Sequence, residues 1–130
     1  MLKDGNLPMI GDQPRMLGAA SKDIPVDPAG NVHPGPDGIS VAPSLQSLPP
    51  YYVPKRLRHL VPEATGSNTS VVWRHGEGHF VDRSVVAPHL ELRVDRSDHG
   101  TVAPDAMMSL GAYQQALTAT RESWVEDELG

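Results

Sequence analysis

Six histidines stand in the chain, and two of them frame the segment His75-Gly-Glu-Gly-His79. Two imidazoles and a carboxylate this close are the donors of a metal site, and two His four apart share one face of a helix. Gly76 and Gly78 oppose a helix here. The metalloprotease spacing also needs Glu directly after the first His, and Gly76 occupies that place. No third ligand follows at a supporting spacing. The segment reads as a hairpin turn with exposed polar residues, and a metal-dependent hydrolase using His75 and His79 is the weakest of three functional readings. No metal ligand set is assigned. Phosphate loops are absent, with neither a Walker pattern nor GxGxxG in the chain. No GxSxG marks a nucleophilic serine. The chain has no cysteine, which removes thiol catalysis, disulfides and Cys-based zinc sites. Two segments remain. In Gly35-Pro-Asp-Gly-Ile-Ser-Val a turn feeds into a strand bearing a small hydroxyl, Ser40, where a ligand can approach the backbone closely. In Ser97-Asp-His-Gly-Thr-Val-Ala-Pro an acid, a His and a Thr meet at a second strand edge. Imidazole titrates near neutrality, which suits His99 to acid–base chemistry. On spacing alone, the plainer readings are a solvent-facing strand serine and a hairpin-turn histidine.

The elements that must hold these residues are short. Eleven of the 13 prolines lie in residues 1–62, so the N-terminal half cannot hold long helices. Asp27-Pro-Ala-Gly-Asn reads as a hairpin tip. Ser44–Leu48 and Pro54–Leu60 read as helical turns at best. Arg15-Met-Leu-Gly-Ala is a short apolar cluster of ambiguous type. Strands are expected at Gly38-Ile-Ser-Val-Ala, at the β-branched Thr69-Ser-Val-Val-Trp-Arg, and at Gly100-Thr-Val-Ala-Pro. Leu90-Glu-Leu-Arg-Val-Asp alternates strictly, which places Leu90, Leu92 and Val94 on one face and Glu91, Arg93 and Asp95 on the other. One longer helix is predicted over Ser109–Glu126, capped by Ser109. Its stripe is Leu110, Tyr113, Leu117, Thr120 and Trp124. The acidic tail that follows should fray. The fold class is α+β, with a small, strongly twisted antiparallel or mixed sheet and one C-terminal helix.

The 130 residues amount to one domain, residues 1–130, by the length prior. Hydrophobic residues make up 38%, which predicts a thin core of Val, Leu, Met and Ala. No apolar run approaches the roughly 18–20 residues of a membrane span. Met1–Ile10 carries Asp4, Gly5 and Pro8 where a signal peptide needs an apolar core. A cytoplasmic protein is expected, or one that crosses an envelope unfolded. The net charge of −5 argues against a nucleic-acid partner. The one local basic cluster, Lys55, Arg56 and Arg58, reads as a solvated element end.

Gly38-Ile-Ser-Val resembles the Gly-x-Ser-Val-Phe stretch of small bacterial toxins with an ADP-ribosyltransferase-like fold, the type VI secretion effectors that act in the cytoplasm. His99-Gly-Thr-Val-Ala-Pro with Met107 or Met108 resembles that family's His-x-Thr-Ile-x-Pro…Met segment, which also precedes a C-terminal helix. Pro14-Arg15-Met-Leu stands where the family places an Arg on its first strand. These matches cover about a third of the chain, in order. The resemblance implies a split sheet around a cleft that holds NAD. It implies that Arg15 binds the cofactor, that Ser40 shapes the nicotinamide pocket and takes part in catalysis, and that a strand acid stabilises the ribose cation as nicotinamide leaves. Glu91 is the candidate acid, and His99 a substitute for it. The family's Ser-Thr-Ser triplet is reduced here to Ser40 between Ile39 and Val41, and its Glu-x-Glu or Gln-x-Glu pair does not occur. The implied function is a toxin or effector acting on a cytoplasmic target and neutralised by a cognate immunity or antitoxin protein. A non-enzymatic protein-binding module of a secretion or phage system is the alternative.

Overall fold

The computed structural model describes every residue except 14, 21, 36–37, 77–79 and 128–130. Among the described residues lie ten short strands and one α-helix: β1 (Lys3–Asp4), β2 (Leu7–Pro8), β3 (Asn31–Val32), β4 (Ile39–Val41), β5 (Trp73–His75), β6 (Val85–Ala87), β7 (Leu90–Arg96), β8 (His99–Pro104), β9 (Met108–Ser109), α1 (Leu110–Thr118) and β10 (Trp124–Glu126). The fold is a small mixed α+β arrangement. Its main sheet has four antiparallel strands in the order β4-β8-β7-β6. Three two-stranded antiparallel pairs surround it: β1 with β2, β3 with β9, and β5 with β10.

The alternating pattern of β7 dictates the two faces of the main sheet. Leu92 opposes Val102, and Val102 opposes Ile39, so these apolar residues share one face. Arg93 opposes Thr101, and Thr101 opposes Ser40, so these polar residues share the other. Glu91, two residues before Arg93, lies on that second face. The apolar face packs on α1, whose Tyr113 and Leu117 are fully buried with Leu17, Ile24, Val32, Leu90, Val102 and Trp124. The alternation fails at the end of β7. Arg96, not Asp95, opposes His99, so Asp95 is the extra residue of a β-bulge.

Ser109 caps α1 as expected, its side chain accepting the Ala112 N–H at 3.1 Å. The helix is shorter than the Ser109–Glu126 span predicted. It ends at Thr118, passes through a 3-10 turn at Arg121–Ser123, and continues as β10 against β5. The Thr120 hydroxyl donates to the Leu117 carbonyl at 2.6 Å and accepts the Trp124 indole N–H at 2.8 Å. This local bonding closes the last turn and redirects the chain. Thr120 and Trp124 remain buried, so the apolar stripe correctly marks burial while its final residues are not helical.

Other expectations also meet corrections. Of Thr69–Arg74, only Trp73 and Arg74 enter a strand: Thr69 lies in a turn, and Val71, buried like Val72, exchanges its backbone hydrogen bonds with Met1. At the Asp27 turn, Gly30 takes φ +82° and Asp27 Oδ1 accepts the N–H groups of Ala29 and Asn31. The tip closes on itself, the Asp27 N–H donating to the Asn31 carbonyl at 3.0 Å, and the strand that leaves it pairs with β9. Three 3-10 turns, Leu45–Ser47, Pro50–Tyr52 and Lys55–Leu57, build the Pro-rich region around a second apolar cluster of Leu45, Val53, Leu57, Val61, Ala64 and Val72.

Candidate functional site

Gly38 fixes where β4 begins. A Cβ on Gly38 would overlap the Val102 carbonyl, so the close approach of β4 to β8 requires glycine there. Buried beneath this junction, the Tyr113 hydroxyl accepts the Ile39 N–H at 3.0 Å and donates to the Val102 carbonyl. Burial pushes the Tyr113 phenol pKa well up, so it stays a neutral donor. The glycine of Gly38-Ile-Ser-Val thus serves sheet packing, and the strand it starts turns Ile39 and Val41 toward the core and Ser40 outward.

Ser40 and His99 come together. Both line a depression of ≈ 180 Å³ on the polar side of the sheet, with Val41, Ala42, Leu48, Pro49, Tyr51, Tyr52, Arg96 and Asp98. His99 is the first residue of β8 after the Ser97-Asp98 turn, not a turn residue itself. Tyr51 and Tyr52 are 63% and 55% exposed, and their rings lie 4.5 Å apart between centroids. A second depression of ≈ 240 Å³ is lined by Gly35, Asp82, Arg93, Val94, Asp95 and Thr101. Thr101 donates its hydroxyl to the Gly35 carbonyl at 2.6 Å. Asp95 and His99 join the two depressions, with His99 Nδ1 2.7 Å from Asp95 Oδ1. That bond holds the Asp95 carboxyl below its usual range.

Glu91 shares the polar face but lines neither depression. It accepts from Arg93 Nη1 at 3.3 Å, and Arg93 also pairs with Asp82 at 3.6 Å. Arg15 is not on a strand, as the resemblance implied. It stands in a turn at φ +67°, a backbone state that cannot continue a strand, and donates to the Ser70 hydroxyl at 3.0 Å. It lines neither depression. The basic cluster is spent largely on backbone: Arg56 reaches the Asn68 and Ser70 carbonyls and Arg58 the Ala64 carbonyl. His75 lies in β5 edge-on to Trp124, ring centroids 5.0 Å apart, and burial lowers its pKa. His79 falls outside the described residues. Among the described residues no group of three or more His, Asp or Glu is placed to hold a metal ion, and no helix is long and apolar enough to cross a membrane.

The site residues that sequence reasoning missed are Tyr51, Tyr52, Arg96 and Asp95, whereas Asp98 is the acid of the Ser97-Asp-His segment. Adjacent tyrosines between prolines were a visible signal. The role of Asp95 was not, because the bulge that frees it interrupts an otherwise regular alternation.

NAD can be set against this geometry. Small-molecule sites usually measure about 300–1,000 Å³. At ≈ 180 Å³ the Ser40 depression is smaller than that range. Neither Arg15 nor Glu91 lines it. Chemically, the depression offers a hydroxyl, an imidazole, a guanidinium, a carboxylate and two aromatic faces. No protein-family model, curated protein or solved structure matches the chain.

Proposed function

We propose that the chain is a toxin or effector domain whose working site is the depression at Ser40 and His99. The observation that carries this reading is the pairing of β4 with β8. The two best-resembling segments, one around Ser40 and one around His99, lie far apart in sequence and meet as neighbours at one surface. The depression suits a nicotinamide-like or base-like group held between Tyr51 and the Ser40 hydroxyl. ADP-ribosyl transfer from NAD is the finer form of the proposal, and the ADP-ribosyltransferase-like fold goes with it. That form asks for a rearrangement that would bring Arg15 to the phosphates beside Arg96. A cognate immunity protein would cover the two tyrosines.

Expression in a bacterial host tests the proposal. Wild-type chain should arrest growth, and Ser40→Tyr, which fills the depression, should relieve the arrest at equal soluble yield. No arrest by the wild type would count against a toxin. Calorimetric titration with NAD addresses the finer form: binding lost in Ser40→Tyr supports it, and no binding removes it. The exposed tyrosine pair favours a second reading, a protein-binding module, since Tyr and Arg concentrate at the energetic centres of interfaces. That reading predicts no arrest by any variant, together with weaker binding of a neighbour-encoded protein after Tyr51→Ala and Tyr52→Ala.

A further inference from the structure

We infer that Asp95 is the positioning residue of His99 and makes its Nε2 the proton acceptor of the Ser40 depression, an inference that rests on that depression being the working site. A carboxylate can only accept a hydrogen bond, so the 2.7 Å contact between Asp95 Oδ1 and His99 Nδ1 places the ring proton on Nδ1. In a neutral ring the lone pair is then on Nε2. Among the described residues Nε2 has no hydrogen-bond partner. His99 is half-buried and lines the depression, whereas Asp95 lies on its far side, in the wall of the neighbouring one.

The β-bulge sets the geometry of this couple. A regular β7 would set Asp95 opposite His99 as a simple cross-strand pair. Instead Arg96 takes that place, and Asp95 is left unpaired in the ladder with its carboxylate on the imidazole Nδ1. The charged groups lining the depression with His99 are Arg96 and Asp98, which pair loosely with each other at 3.7 Å. The titratable hydroxyls there belong to Tyr51 and Tyr52. None of these has a hydrogen bond to Nε2, which leaves that nitrogen for a ligand. The ligand chemistry it selects is a donor, an O–H or N–H, on a group small enough to enter beside Ser40. If that group is a nucleophile, its O–H or N–H bond breaks as Nε2 takes the proton. The Asp95 carboxylate then faces an imidazolium it can stabilise.

The test uses the full chain with ¹⁵N-labelled histidine. With the ring neutral, the ring-nitrogen shifts of His99 should report the Nδ1–H tautomer. Asp95→Asn should shift His99 toward the Nε2–H tautomer and raise the number of surviving colonies by about 100-fold in the growth assay. Asp95→Glu should restore both signatures in part. Asp95 is exposed, so all three proteins should be equally soluble. A wild-type His99 in the Nε2–H tautomer would overturn the inference, as would an unchanged tautomer and undiminished arrest in Asp95→Asn. If the wild type does not arrest growth, the toxin reading fails, while the tautomer comparison still decides the role of Asp95.

Discussion

Two regions of the molecule are held by different means. The sheet region draws its buried cluster from across the chain, from Leu17 to Trp124, and ties it with the long β7–β8 ladder. The Pro-rich region draws its cluster from Leu45 to Val72 alone and is stitched by 3-10 turns and by arginines bonded to carbonyls. Gly66 staples it, accepting from Lys55 N–H and donating to the Val53 carbonyl, so tightly that a Cβ there would fall 2.6 Å from that oxygen. The candidate site takes its floor, Ser40 and His99, from the first region and its aromatic wall, Tyr51 and Tyr52, from the second. A rigid ladder fixes the polar groups, and a locally built turn presents the rings. Polar groups on a long ladder and rings on a locally built turn thus meet at one surface.

Core truncations should break this contrast most visibly. Leu117→Ala empties a fully buried position under the sheet and should cost about 2–5 kcal/mol, read by chemical denaturation. Leu57→Ala makes the same chemical change in the Pro-rich cluster, which has six buried members among the described residues against nine under the sheet, and should cost near the lower end, about 2 kcal/mol. Equal losses would mean that the two clusters act as one. Amide exchange sharpens the point: β7 and β8 should exchange more slowly than residues 45–66.

A smaller loss is expected from Tyr113→Phe. It leaves the Ile39 N–H and the Val102 carbonyl without the phenol between them and should cost about 1–3 kcal/mol. Because the lost bonds hold the start of β4, Ser40 should also become less ordered.

The pattern of residues made the α+β class, the β7 and β8 strands and the outward face of Ser40 legible. Alternation and β-branching are local consequences of half-burial, so a single sequence displays them. The end of the helix was not legible, because Thr120 and Trp124 fit a helical stripe equally well whether the chain continues or turns. The tyrosine wall was not legible either. It depends on how the Pro-rich turns dock beside β4, a tertiary fact with no periodic signature. Arg15 shows the opposite error: a plausible motif position whose backbone, at φ +67°, excludes the strand it was expected to occupy.

The mildest effect should come from pH. Burial lowers the His75 pKa from its ordinary value of 6.5, so the folded chain takes up that proton less readily than the unfolded one. The stability from neutral His75 is therefore full above about 6.5 and declines as pH falls below it. His75→Phe should flatten that decline in melting experiments. Asp27 and Asp95, whose pKa values are lowered by their hydrogen bonds, act in a separate window. Their contribution is lost only as pH falls below the ordinary carboxylate value of 3.8.

His99 and His75 also supply the most direct test of the central claim. His99 lies in the depression, and His75 lies outside it against Trp124. Host growth should be followed during expression of wild type, His99→Ala and His75→Ala, with soluble protein measured in each culture. The account predicts arrest by the wild type, arrest retained in His75→Ala, and recovery of growth in His99→Ala at matched protein levels. Full arrest by His99→Ala would contradict it, because the depression would then not be where the protein acts.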